Sequence, residues 1–208
     1  MFQNSDRSYK MTVYETDENK YLGEIVDIHL KTFKGFFLTE LGEGFLKTLY
    51  KGYMKDEASG IIVAVEENKV VGFIAYSKDY ARFYKNLIKR SILQFAFYSI
   101  IAAIKHPSFI GRLLGAFGKS DEVTKKEEYV ELASIGVNPL YKGKGVGTQL
   151  ISFLKENTDY NEYEYIALET DADNNDNVNR FYVKNGFELV RTYSTKQGRR
   201  MNEYHYGE

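Results

Sequence analysis

The stretch IGVNPLYKGKGVGTQLI, residues 135–151, indicates the fold class more clearly than any other part of the chain. It starts as a β-rich run, turns, and continues into an amphipathic helix. Gly143, Gly145 and Gly147 stand at alternate positions between the two elements. Glycine lets the backbone approach a ligand closely, and the first amides of a helix lack intrahelical partners. The stretch therefore predicts an anion site for a phosphate or pyrophosphate, between a strand and a helix.

Two better-known phosphate loops do not fit this stretch. A P-loop requires GxxxxGK[ST], which occurs nowhere in the chain, and a dinucleotide loop requires GxGxxG, whereas the glycines here form GxGxG. Lys142 and Lys144 add positive charge beside the glycines. The remaining alternative is a flexible glycine turn that binds no ligand.

Outward from the loop, strand-like and helix-like patterns alternate along the chain. Strands are predicted at residues 10–16, 61–65, 69–76, 129–137, 163–169, 187–193 and 201–206, and helices near 22–30, 45–53, 148–155 and 177–185. Residues 79–128 form an aromatic-rich helical insertion, which the pair His106-Pro107 breaks. This order predicts one α/β domain over residues 1–208, with a mixed sheet.

Composition excludes several classes of function. The 208 residues include no cysteine, so disulfides, thiolate metal sites and a cysteine nucleophile are absent. The net charge of -1 argues against a nucleic-acid partner. The histidines are scattered, and the acidic run ETDADNND at 169–176 lacks the glycine and glutamate of a calcium loop, so no metal is expected. Without a signal-peptide pattern or a long apolar run, we expect a cytoplasmic protein.

Two segments together resemble the GNAT superfamily of acetyl-CoA-dependent N-acetyltransferases. Residues 142–147 are similar to its motif A, [QR]-x-x-G-x-[GA], with Lys142 where glutamine or arginine is usual. Residues 175–187, NDNVNRFYVKNGF, are similar to the later element N-x-x-A-x-x-F-Y-x-x-x-G-F, with Val178 in place of the alanine. The two elements follow each other in the order that the family expects.

The resemblance implies a mostly antiparallel central sheet flanked by helices, with the helical insertion before the cofactor-binding strand. It also implies acetyl-CoA as co-substrate and direct attack by an amine, without an acyl-enzyme. The pantetheine arm would follow Ile135, Gly136 and Val137, and Asn175 would contact the cofactor from the opposite side. The pyrophosphate would be held by the loop residues Lys142, Gly143, Lys144, Gly145, Val146, Gly147 and Thr148.

The same resemblance implies two catalytic residues. Tyr182 matches the usual general acid and would also line the cofactor site; the alternative is a core tyrosine on the apolar face of its helix. Glu131 is the candidate general base, because it stands in the same alternation register as Ala133, Ile135 and Val137 and would face the cleft. Its alternative is a solvated strand residue.

The acceptor is a small-molecule primary amine in this interpretation. Residues 33–50, FKGFFLTELGEGFLKTLY, are similar to family members associated with surface-polysaccharide synthesis, which suggests an amino sugar. A protein N-terminus, a lysine, a polyamine and an aminoglycoside stay open, as does a homodimer. The rival function is a non-catalytic acyl-CoA-binding regulatory module. The insertion, residues 79–128, is expected to wall the acceptor cleft, with contact to a membrane surface as its alternative.

Overall fold

A seven-stranded mixed sheet forms the centre of the protein, whose computed structural model describes residues 11–105, 128–195 and 198–207. The strands are β1 (Thr12–Thr16), β2 (Ser59–Glu66), β3 (Lys69–Ser77), β4 (Tyr129–Val137), β5 (Tyr165–Asp171), β6 (Glu188–Ser194) and β7 (Arg200–Tyr206). Their spatial order is β1-β2-β3-β4-β5-β7-β6, and only β4 and β5 run parallel. The mostly antiparallel mixed sheet is thereby confirmed.

Helices cover both faces of this sheet. They are α1 (Leu22–Thr32), α2 (Phe37–Glu40), α3 (Glu43–Lys55), α4 (Tyr80–Lys105), α5 (Val146–Glu156) and α6 (Asp176–Lys184), with 3-10 turns at Asn19–Tyr21 and Pro139–Tyr141. The short α2 was not expected, because four residues are too few to show a helical period. The break expected at residues 106–107 lies outside the described residues.

Two apolar cores lie on opposite sides of the sheet. Helices α1, α3 and α4 pack over β1 to β4, whereas α5 and α6 pack on the other face. The neighbouring residues Phe73 and Ile74 of β3 are both fully buried, one in each core. Because β2 and β3 are covered on both faces, their sequences are almost continuously apolar.

Helix α4 is the described part of the insertion, and it packs tightly on α3. It runs as one long helix with a kink at Ser91, whose φ of -121° is not helical. A Cβ added at Gly44 would lie 2.3 Å from Cε1 of Tyr98, and one at Gly52 would lie 2.4 Å from Cδ1 of Leu87. The two glycines therefore let the helix axes approach closely.

A buried polar chain joins α1, α3 and β4. The ring of His29 is 3% exposed, and its Nδ1 is hydrogen-bonded to the hydroxyl of Tyr50 at 2.6 Å. Tyr50 also has a side-chain hydrogen bond with Ser134 of β4. Burial lowers the pKa of His29 from its usual 6.5 to about 4, so the imidazole is neutral in the folded protein at pH 7.

We expect this histidine to make stability fall with acidification. The unfolded chain binds a proton at His29 below about pH 6.5, whereas the folded chain does so only near pH 4. Between about pH 7 and about pH 5 the free energy of unfolding should fall by about 2 kcal/mol through this group alone. Urea unfolding of wild type and His29→Gln at both pH values gives the fall in the free energy of unfolding for each protein. The contribution of His29 is the difference between the two falls. Parallel pH dependence in both would contradict the assignment, and His205→Gln is the matched control.

Candidate active site

The sheet opens between β4 and β5. These strands pair at only three positions, and the last pair joins Glu131 to Ala167. Beyond it β4 stays paired with β3 as far as Val137, and β5 stays paired with β7 as far as Asp171. The two strands therefore diverge, and within the described part of the chain no strand lies beside the backbone of β4 after Glu131 on the β5 side.

A β-bulge interrupts β4 just beyond the point where the gap begins. On β3, Ala75 is paired with Ser134, but the next residue, Tyr76, is paired with Leu132. Ala133 is therefore the extra residue of β4, and the side chains that follow it alternate out of step with those before it.

The bulge corrects one expectation. Ala133 packs against the core under α1, α3 and α4, whereas Ile135 and Val137 pack against the core under α5. Glu131 lies between two residues of the α5 core, Val130 and Leu132, so it points to the same face as Ala133. The prediction that Glu131 shares a face with Ile135 and Val137 is wrong, because simple alternation does not anticipate a bulge.

The start of α5 offers free backbone donors at the wide end of the gap. Gly145 precedes the helix with φ 79°, in the left-handed region that favours glycine. The first intrahelical bond is donated by the amide of Gln149 to the carbonyl of Gly145, at 3.0 Å. The amides without a partner inside the helix are those of Val146, Gly147 and Thr148.

The loop before α5 has room for a ligand and carries positive charge. A Cβ added at Gly143 or Gly145 would meet nothing within 4 Å. The backbone amide of Lys144 donates to the carbonyl of Tyr141 at 3.2 Å. The side-chain ammonium of Lys144 lies 4.6 Å from the centre of the Tyr141 ring. The amide of Lys142 is likewise used within the turn. The two lysines can therefore assist an anion only through their side chains, and the open donors and charge fit a pyrophosphate.

Helix α6 brings Tyr182 to the same side of the sheet. A Cβ added at Gly147 would lie 3.0 Å from Cζ of Phe181, so α6 touches the start of α5. Tyr182 is 6% exposed, and its ring packs against Phe187 and Tyr204. Burial raises the pKa of Tyr182 above its usual 10, so the phenol keeps its proton at neutral pH. This packing suits a core tyrosine, and the retained proton suits an acid.

Asn175 joins the end of β5 to the start of α6. Its Nδ2 donates to Oγ1 of Thr170 at 2.9 Å and to the carbonyl of Asp171 at 3.1 Å. Both amide hydrogens are thus committed within the chain. A contact with the cofactor would have to use the carbonyl oxygen of the side chain.

Sequence reasoning missed Asn179, which orients α6. Its Nδ2 donates to the carbonyls of Asp171 and Asn175, both at 3.0 Å. Its Oδ1 accepts from Nδ2 of Asn202 at 3.0 Å and from the hydroxyl of Tyr204 at 2.9 Å. The sequence signal for this role was that Asn179 follows Asn175 at helical spacing. The partners of Asn179 on β7, however, are distant in the sequence.

Carboxylates gather on the opposite face, where the gap begins. Burial raises the pKa of Tyr129, and the carboxylates of Glu131, Glu169 and Glu203 raise it further, so all three act on this one phenol. Burial also raises the pKa of Tyr80 on α4, and Glu131 contributes to that shift. Glu131 therefore stands on the face that α4 borders.

Glu203 is part of a buried polar group on this face. Its carboxylate contacts Nε of Arg191 at 2.5 Å and Nε2 of His205 at 2.8 Å. The ring of His205 stacks on Tyr165, with 4.0 Å between ring centres. With Glu131, Glu169 and Glu203, this is the acidic face of the gap.

A bridge spans the wide end of the gap on the acidic face. The hydroxyl of Thr32, at the end of α1, donates to the carbonyl of Val137 at 3.2 Å. The guanidinium of Arg199, between β6 and β7, lies 5.3 Å from the ring centre of Phe36. Arg199 also pairs with Asp171 at the end of β5, with Nη2 to Oδ2 at 2.6 Å. Segments from both halves of the sheet therefore meet above the opening.

The described residues contain no group of three or more histidine, aspartate or glutamate side chains that could hold a metal ion. What they do contain is a gap with an anion-binding helix start and a protonated phenol on one face. A carboxylate lies at the narrow end on the other face. Such a gap admits a long phosphorylated donor from one side and a second substrate from the opposite side.

Known proteins share this fold. The sequence profile of the acetyltransferase (GNAT) family matches residues 23–187. A search of curated proteins finds no match to the chain. A protein of Desulfovibrio desulfuricans assigned to the GNAT acetyltransferases superimposes with a TM-score of 0.63 at 13% identity, over 95% of this chain and 99% of that one.

Two further solved structures have the same fold. The ribosomal-protein-S18-alanine N-acetyltransferase of Escherichia coli gives a TM-score of 0.58 at 14% identity, over 95% of this chain and 94% of that one. A protein of Bacillus anthracis assigned as a streptothricin acetyltransferase, in complex with acetyl coenzyme A, gives a TM-score of 0.50 at 18% identity. The superposition covers 77% of this chain and 69% of that one.

The family match includes both the glycine loop and helix α6, the two segments that carry the resemblance in sequence. The expectations of the fold, of an acetyltransferase and of acetyl-CoA as the donor are confirmed. The chain therefore belongs to the acetyltransferase (GNAT) family, as an enzyme that takes its acetyl group from acetyl-CoA.

Proposed function

We propose that the protein acetylates a primary amine by direct attack of the amine on the thioester of acetyl-CoA. The observation that carries this proposal is the gap that opens at Glu131. The start of α5 and Tyr182 lie on one face of the gap, and Glu131 lies on the other. Donor and acceptor can therefore meet inside the sheet from opposite faces. With no cysteine in the chain, a thiol nucleophile is unavailable for an acyl-enzyme.

On the donor face, the amides of Val146, Gly147 and Thr148 would bind the pyrophosphate, with Lys142 and Lys144 adding charge. The pantetheine arm would lie along residues 135–137, where the backbone of β4 has no strand beside it on the β5 side. Acetyl-CoA supplies an acetyl group already activated as a thioester. The chain's part is to hold that group at the gap and to manage two protons.

On the acceptor face, Glu131 would take a proton from the incoming ammonium. A primary amine of the lysine type has a pKa of about 10.4, so it arrives protonated and cannot attack until the proton leaves. Glu131 shares this face with Glu169 and Glu203, and all three carboxylates act on Tyr129. As the C–N bond forms and the C–S bond breaks, the leaving sulfur would receive the proton of Tyr182. The nitrogen would lose its second proton to solvent as the amide forms, and the phenolate of Tyr182 would regain a proton from solvent.

For the acceptor we propose an amino sugar. Support comes from the resemblance of residues 33–50 to family members of surface-polysaccharide synthesis, and Phe36 of this segment contributes to the bridge above the gap. The names of the related structures point to amines as different as an antibiotic and a protein alanine. Rates of CoA release with an amino sugar, a polyamine and a lysine peptide distinguish these acceptors.

We expect Gly145→Glu to lower the affinity for acetyl-CoA by about a hundred-fold or more. A carboxylate at the helix start repels the pyrophosphate, and the left-handed φ strains any side chain there. Gly35→Glu is the matched control, because Gly35 also has a positive φ and open space around it. Calorimetric titration measures both variants. Equal affinity in the three proteins would mean that the loop is only a turn.

We expect Tyr182→Phe to lower kcat by about a hundred-fold or more while acetyl-CoA affinity stays unchanged. The ring keeps its packing and only the acid is lost. A thiol reagent follows the reaction without background, because the chain has no cysteine. Tyr163→Phe is the control, since it removes a hydroxyl of the same core that donates to Glu162. If both variants retained kcat, Tyr182 would be a core tyrosine. Absence of turnover in the wild type across the amine panel would favour the non-catalytic binding module.

We expect Glu131→Gln to lower kcat/KM by about a hundred-fold at neutral pH, with the deficit shrinking as the pH approaches about 10. At high pH the acceptor loses its proton to solvent, so the base is no longer needed. Glu164→Gln, outside the gap, is the control. A pH-rate profile distinguishes the roles, because a purely structural Glu131 would lower the rate equally at every pH.

A further inference from the structure

Helix α4 has an unusual charge pattern. From Tyr80 to Lys105 it contains no acidic residue, although the whole chain has 29 of them. Its first half carries exposed basic residues, namely Arg82, Lys85, Lys89 and Arg90. After the kink at Ser91, residues 91–104 contain no charged side chain at all.

The second half of α4 buries one side and exposes another that is also apolar. Phe95 and Ala102 are buried in the core shared with α3. On the outer side, Leu93 is 82% exposed, Ile104 is 76% exposed and Phe97 is 60% exposed. Ile92, Ile100 and Ile101 extend the same surface. Contiguous apolar surface of this kind usually marks a contact with another molecule.

A basic groove adjoins this surface. It has a volume of about 520 Å³ between α3 and α4. Its cationic lining is Lys47, Lys51, Lys55 and Arg90, and the acid among its lining residues is Asp56. The three lysines stand four residues apart on α3 and form one row along the helix. Lys47 also pairs with the exposed Glu43.

We propose that this face, α4 with the lysine row of α3, binds the surface of an anionic lipid bilayer. The apolar side chains would enter the boundary between head groups and acyl chains, and the basic residues would meet the lipid phosphates. Within the described residues no helix is both long and apolar enough to cross a membrane.

Charge favours lipid over a second copy of the chain as the occupant. Two copies of this face would bring their basic rows together, and α4 offers no acidic residue to offset them. An anionic bilayer presents the opposite charge over the whole area. The proposal does not depend on the acetyl acceptor, so it can fail while the proposed function stands.

A single introduced tryptophan tests the proposal, because the chain has none of its own. The probe is Leu93→Trp. The matched control is Leu189→Trp, at a half-exposed position of β6. With mixed phosphatidylcholine–phosphatidylserine vesicles, the emission of Leu93→Trp should shift to shorter wavelength, less so at high salt, while the control stays unchanged. Vesicles of phosphatidylcholine alone should cause a much smaller shift.

Vesicle sedimentation then tests the surface itself. Leu93→Gln with Ile104→Gln should weaken binding by about ten-fold or more, whereas Leu189→Gln with Val190→Gln should not. Circular dichroism checks that both variants stay folded. Absence of binding to anionic vesicles, or equal binding by both double variants, would overturn the proposal. A dimer in analytical ultracentrifugation would also overturn it, if the α4 substitutions dissociate that dimer and lipid has no effect on it. The face would then bind a second copy of the chain.

Discussion

The three-residue pairing of β4 with β5 is the constraint on which the rest of the structure depends. Longer antiparallel ladders hold the strands together within each half of the sheet, on either side of the gap. The halves are joined by a short parallel contact that ends at Glu131. A sheet that stayed paired here would satisfy its own backbone groups and leave no place for a substrate. The opening is therefore what makes the backbone of β4 available to a ligand.

The two faces of this opening differ in chemistry because different helices cover them. On one side the start of α5 supplies amides, and buried aromatic rings keep the phenol of Tyr182 protonated. On the other side Glu131 stands among tyrosines and further carboxylates. The bulge at Ala133 assigns the side chains to these faces: Glu131 points to the acidic face, and Ile135 points to the α5 face. A proposed base and a proposed acid are thus separated by the thickness of the sheet.

Polar side chains hold the two halves in register around the gap. Asn175 and Asn179 attach α6 to the end of β5 and to the middle of β7, which positions Tyr182. Arg199 links the end of β5 to Phe36 beyond α1. Outside the gap, Gly44 and Gly52 let α4 lie close to α3, and the uncharged second half of α4 exposes apolar side chains. The same domain thereby carries the proposed catalytic gap and an apolar and basic outer face.

The sequence by itself determined the class of fold, the order of the elements and the glycine loop that we propose binds the donor. These depend on local patterns, such as the continuous apolar runs of β2 and β3, the glycines before α5 and the similarity of residues 175–187 to a family element. Tertiary structure alone decided the face to which Glu131 points, the partners of Asn179 on β7, and the bridge through Arg199. A bulge depends on the register of the neighbouring strand, and each of these contacts joins residues through the folded sheet. Local periodicity contains no information about such pairings, so only the packed chain determines them.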